Sequence, residues 1–107
     1  MNSLSSHVLD TAAGKPVANL ALQLTTPDGT IVHAQTDNDG RCNQWANTQF
    51  VAGNYQLRFS VEAYLVAKHG ESFYPFVDVN FTLPEDGGHY HVPLLISPYG
   101  FSSYRGS

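Results

Sequence analysis

At 107 residues the chain is the size of one domain, so one hydrophobic core is expected and there is no room for a separate cofactor-binding unit. Hydrophobic residues make up 42% and charged residues only 13%, a balance that excludes a disordered chain and predicts that surface is buried in an oligomer. The formal net charge of -4, with five Lys and Arg in all, leaves no basic patch for a nucleic-acid backbone or an anionic membrane surface.

The chain opens on an extended run, Ser3 to Leu9, with no charged leader and no apolar segment of the kind a signal peptide needs, so a cytoplasmic protein is expected. No later run approaches the roughly 20 apolar residues of a membrane helix. Leu20, Leu22 and Leu24 then alternate with Ala21, Gln23 and Thr25, the period of a strand with one buried face. The turn residues Pro27-Asp28-Gly29 lead to a second extended run, Thr30 to Thr36, and Asp37-Asn38-Asp39-Gly40 closes it. Cys42 follows as the only cysteine, which excludes an internal disulfide framework and a thiolate zinc cluster and fits a reducing compartment.

After the turn Ala52-Gly53-Asn54, Tyr55, Leu57, Phe59 and Val61 resume the alternation. Val61, Tyr64, Leu65 and Lys68 recur at three and four, which predicts one short helix, with Ser60 as its cap and Gly70 at its end. Val77, Val79, Phe81 and Leu83 read as another strand. Beyond Pro84-Glu85-Asp86-Gly87-Gly88, His89 to Ile96 and Phe101 to Arg105 supply two more. The sum is an all-β fold of one domain: a sandwich of two packed antiparallel sheets, seven or eight strands, and one helix.

Histidines carry the most visible chemistry. His89 and His91 flank Tyr90, so on a strand both rings project from one face. His7 lies in the first run, while His33 and His69 read as structural, the latter a cation suited to a helix C-terminus. A His-x-His pair joined by His7 is also a zinc site in principle, but no cysteine lies nearby and no His-Glu-x-x-His helix exists. Asp37 to Gly40 resembles a calcium loop only superficially, because the twelfth position of that register is Ala46 where a bidentate Glu is required. No serine sits in a Gly-x-Ser-x-Gly elbow. The tail Tyr104-Arg105-Gly106-Ser107 carries an aromatic and a guanidinium where a fraying end carries polar filler, so it either completes a strand or lines a site.

Four fragments, in order along nearly the whole chain, resemble the 5-hydroxyisourate hydrolases of the transthyretin-like family. They are His7-Val8-Leu9-Asp10 with Gly14-Lys15-Pro16, then Asp39-Gly40-Arg41, then His89-Tyr90-His91-Val92-Pro93-Leu94-Leu95 with Ser97-Pro98, and the terminal Tyr104-Arg105-Gly106-Ser107. The tail discriminates, because the hormone-carrying relatives on the same fold lack it. The resemblance implies catalytic roles for His7, Arg41, His91 and Tyr104, with His7, Arg41, Tyr104, Arg105 and Ser107 holding the small-molecule substrate. His89 matches no catalytic position of the family, and its place beside His91 reads as incidental. The resemblance also implies a homotetramer built as a dimer of dimers, with sites in a channel between dimers, and neither a metal nor an organic cofactor. The residue types suit ring opening by water: an imidazole to take the proton, and a guanidinium to hold the ring oxygens and the developing oxyanion. The alternative is a transthyretin-like tetramer that carries a small aromatic ligand in its channel without turning it over.

Overall fold

The computed structural model describes residues 2–106. Nine strands and one helix follow in the order β1 (Ser3–Asp10), β2 (Lys15–Pro16), β3 (Ala21–Thr25), β4 (Ile31–Gln35), β5 (Arg41–Cys42), β6 (Gly53–Phe59), α1 (Glu62–His69), β7 (Val77–Leu83), β8 (His89–Ser97) and β9 (Gly100–Ser103). β2 and β5 are two-residue ladders, so the strands of substantial length match those expected from the alternation. One sheet runs β2-β1-β8-β9, with β5 also paired to β1, and the other runs β4-β3-β6-β7.

The expectation of purely antiparallel sheets needs one correction. β1 and β8 pair in parallel over eight residues, from Ser3 opposite His89 to Asp10 opposite Ile96. All other strand pairs are antiparallel. This pairing joins the two ends of the chain, and it is the feature that assembles the site.

The sheets face each other across a core of alternating apolar residues. Leu4 and Val8 of β1 and Tyr90, Val92, Leu94 and Ile96 of β8 meet Leu22, Leu24, Leu57 and Phe59 of the opposite sheet. Each such side chain contributes roughly 1.5–3 kcal/mol when fully buried. Trp45 plugs the core and donates its indole N–H to the Leu4 carbonyl at 2.7 Å, so its polar atom is not left unpaired. Cys42 behaves as a small apolar core residue, and burial pushes its thiol above the ordinary value.

The helix confirms Gly70 but not Ser60. Gly70 adopts φ 86 and donates its N–H to the Val66 carbonyl at 2.9 Å, the left-handed C-terminal cap. At the other end the capping position is Val61, already helical at φ -86 and ψ -21, with no side-chain cap. Val61 is 1% exposed, so packing, not capping, sets where the helix begins.

Tyr64 and His69 reach from the helix to Asp10, whose residue is 1% exposed. Asp10 Oδ2 accepts from Tyr64 at 2.6 Å and from His69 Nε2 at 2.7 Å, while Oδ1 accepts the Ala12 and Ala13 amides. His69 therefore pairs with a buried carboxylate 59 positions away instead of serving only the helix dipole. Burial raises the Asp10 carboxyl, but these donors outweigh it and the net shift is downward. A lowered carboxyl stabilises the fold above the ordinary 3.8 and loses that contribution as pH falls through the lowered value. Asp10→Asn should cost about 2–3 kcal/mol at neutral pH, read as a lower denaturant midpoint, with the gap to the native protein closing in acid.

Candidate active site

Residues on β1 alternate strictly: Leu4, Ser6, Val8 and Asp10 point into the core, and Ser3, Ser5 and His7 point outward. β8 does the same with Tyr90, Val92, Leu94 and Ile96 inward and His89 and His91 outward, while Pro93, next on the outward side, is itself buried. The parallel register sets Ser3 beside His89, Ser5 beside His91 and His7 beside Pro93. β5 lies on the other edge of β1 with Arg41 opposite His7. Three histidines from two distant segments and one arginine thus share the outward face of one sheet.

Arg41 is placed by its backbone. The Asp37 carboxylate accepts the Asp39 amide at 2.8 Å and the Arg41 amide at 3.0 Å, an Asx turn that ends the loop and holds Arg41 by its backbone. Gly40 supplies φ 75, and a Cβ there would stand 2.7 Å from the Val8 carbonyl oxygen, so this position needs glycine both for conformation and for space. The loop that faintly resembled a calcium site is a turn that aims Arg41.

His7 donates Nε2–H to the Asp39 carbonyl at 2.9 Å, which leaves Nδ1 as its basic atom when neutral. His91 is half-buried, with Nδ1 2.8 Å from Ser5 Oγ, and among the described residues no protein group bonds its Nε2. Burial lowers its pKa below the ordinary 6.5, and the like charges of His7, Arg41 and His89 lower it further. At neutral pH the ring is therefore an unprotonated base. Ser5, Ser6, Asp37, Arg41, Cys42, Asn43, His89 and His91 enclose a cleft of about 380 Å³, wide enough for a small heterocycle.

The tail returns along β8. β9 pairs antiparallel with it, Leu94 opposite Ser103, and the same register resumes at a bridge between His91 and Gly106. The ladder breaks between them because Pro93, opposite Tyr104, has no N–H to donate. Gly106 donates its N–H to the His91 carbonyl at 2.7 Å, and a Cβ built on it would lie 2.5 Å from His91 Cδ2.

His7, Arg41 and His91 thus share one face, and Gly106, to which the sequence assigned no role, joins them there. Tyr104 and Arg105 do not: they line a different cleft, of about 270 Å³, with Val79, Phe81 and Val92. The Arg105 guanidinium sits 4.5 Å over the Tyr90 ring, on the side of the strand away from His91. Ser107 lies outside the described residues. Ser5 and His89 went unassigned in the sequence, although the period-two spacing of Ser3, Ser5 and His7 held the signal. Among the described residues no three His, Cys, Asp or Glu side chains gather into a metal-holding group.

Residues 4–106 match the HIUase/Transthyretin family. The 5-hydroxyisourate hydrolase of Mesorhizobium japonicum is 44% identical over 97% of this chain and 91% of its own. The solved structure of Klebsiella pneumoniae 5-hydroxyisourate hydrolase superposes with a TM-score of 0.86 at 34% identity, each chain fully covered. Transthyretin from Sparus aurata superposes almost as well, with a TM-score of 0.84 at 30% identity over 97% of this chain and 96% of that one. The chain belongs to the HIUase/Transthyretin family.

Proposed function

We propose that this protein hydrolyses 5-hydroxyisourate to 2-oxo-4-hydroxy-4-carboxy-5-ureidoimidazoline, a step of urate breakdown. One observation carries the reading: a half-buried imidazole held unprotonated at neutral pH, whose Nε2 no group among the described residues engages, shares a sheet face and a cleft with Arg41 and neighbours His7. A passive channel for an aromatic ligand has no reason to desolvate such a set. His91 Nε2 takes a proton from water as its oxygen attacks a ring carbonyl, and the proton is returned to the ring nitrogen when the C–N bond breaks. Arg41 pairs with the carbonyl oxygens and stabilises the oxyanion. His7, held by Asp39, orients the substrate from the neighbouring position. Tyr104 and Arg105, which line the neighbouring cleft in one copy, meet the substrate only in a site completed by a second copy, and no metal takes part.

The assembly is a homotetramer on this reading. β9 and β7 are the edge strands on one side of the two sheets, and Tyr99, Phe101 and Tyr104 there expose apolar surface that a second copy would cover. A cytoplasmic setting suits the single buried thiol. No helix among the described residues is long and apolar enough to cross a membrane.

The test is direct. 5-Hydroxyisourate generated from urate by urate oxidase decays on its own, and the protein should accelerate that decay catalytically; an unchanged decay rate eliminates the proposal. A further expectation concerns pH. The base works only unprotonated and its pKa lies below 6.5, so kcat should hold through pH 6.5 and fall only in more acidic solution. An acidic limb centred above 6.5 would contradict the assignment of His91.

A further inference from the structure

Ser3, His89, Ser5 and His91 form an unbroken hydrogen-bonded chain along the two parallel strands. Ser3 Oγ lies 2.6 Å from His89 Nδ1, His89 Nε2 lies 3.0 Å from Ser5 Oγ, and Ser5 Oγ lies 2.8 Å from His91 Nδ1. A hydroxyl has one proton, so Ser5 must donate to one ring and accept from the other. The tautomers of the two histidines are thereby tied together. If Ser5 donates to His89 Nε2, His91 must hold its proton on Nδ1, and its Nε2 keeps a lone pair able to accept a proton. If Ser5 donates to His91, Nε2 carries the proton and the ring cannot act as a base there.

We infer that Ser5 and His89 are positioning residues that lock His91 in the Nδ1–H tautomer and carry its proton outward during water activation. This rests on the hydrolytic role proposed above. The step balances. As Nε2 takes the proton of the attacking water, Nδ1–H passes to Ser5 Oγ, the Ser5 hydroxyl proton passes to His89 Nε2, and His89 holds the positive charge. The reverse shift returns the proton to His91 as the ring nitrogen departs.

The electrostatics favour this route. A proton retained on His91 would place an imidazolium in a half-buried site beside Arg41 and near His7, where burial and like charge both oppose it. His89 is exposed and holds Ser3 Oγ on its far nitrogen, so the same charge is solvated there. The backbone register makes the chain rigid: Ser3 opposite His89 and Ser5 opposite His91 are fixed by the central parallel pair of the sheet. Partners that fix the tautomer and orientation of a metal-bound histidine typically account for about 10- to 100-fold of activity, and the same scale is expected for a partner that fixes a basic one.

The experiment uses the full chain labelled with ¹⁵N-histidine, with ring-nitrogen shifts read without substrate, and kcat and KM measured on 5-hydroxyisourate. In the native protein His91 should show Nδ1 protonated. Ser5→Ala should shift His91 toward the commoner Nε2–H form and lower kcat about 10- to 100-fold, with KM changed less than about twofold. Ser5→Thr keeps the hydroxyl and should recover both readouts. His89→Gln keeps an acceptor for Ser5 but cannot pass a proton on, so the His91 tautomer should survive while kcat falls about threefold to tenfold. Nε2–H on His91 in the native protein, or a Ser5→Ala variant with native shifts and native kcat, overturns the inference. Failure of the native protein to act on 5-hydroxyisourate would instead strike the functional reading, because the tautomer is read independently of turnover.

Discussion

With Asn in place of His91, kcat on 5-hydroxyisourate is expected to fall by about 10²- to 10⁴-fold, the share general-base catalysis supplies. The amide fills much of the same space and can still meet Ser5 Oγ, so the outward face of β8 keeps its shape while the basic nitrogen is gone. Stability should hardly move. The strand is anchored by Tyr90, Val92, Leu94 and Ile96 on the opposite face, none of which the substitution touches, and surface changes of this kind usually stay within about 0.5 kcal/mol. KM should change far less than kcat, since Arg41 still meets the substrate. A variant that unfolds or dissociates would make His91 a structural residue; one that retains native kcat would remove it from the chemistry.

What the chain discloses before folding follows from what is local. Alternation is a local property, so β3, β6, β7 and β8 are legible from Leu22, Leu57, Val79 and Tyr90 and their neighbours. The parallel pairing of β1 with β8 is not, because nothing within either segment states that residues 86 positions apart will lie side by side. That pairing decides the site. It converts two unremarked serines and an apparently incidental histidine into a connected chain ending on His91. The same limit explains the helix start: Ser60 has the chemistry of a cap, but Val61 is pinned in the core and sets the boundary from tertiary contacts.

Resemblance located His7, Arg41 and His91, and geometry places them on one face, but the tail divides. A strand alternates its side chains, so residues 105 and 106 cannot both face His91, and it is Gly106 that does. Fold alone would not separate a hydrolase from a carrier, because hydrolase and transthyretin structures superpose nearly equally well on this chain. Side chains separate them: the imidazoles and the guanidinium that suit hydrolysis lie on an outward face the sandwich does not need for its own stability.

Gly106→Ala should abolish most of the activity while leaving the fold intact. The glycine is not there for conformation, since its φ is not positive. It is there for space: a methyl would press to 2.5 Å from His91 Cδ2, closer than real carbon contacts allow, and to a tight 3.1 Å from Cγ. Either the ring rotates, breaking its bond to Ser5, or the tail lifts and the Gly106 amide loses the His91 carbonyl. Both displace a reacting group by about an ångström, which can cost on the order of 10²-fold in turnover. Neither reaches the core, because residue 106 meets the sheet through one isolated bridge beyond the last full strand, so the unfolding midpoint should stay near that of the native protein. Gly40→Ala provides the contrast: its positive φ and its approach to the Val8 carbonyl make that variant unstable as well as inactive. Steady-state kinetics beside a thermal melt for the two variants separates these outcomes, and a fully active Gly106→Ala protein would show that the tail does not lean on His91 in the working enzyme.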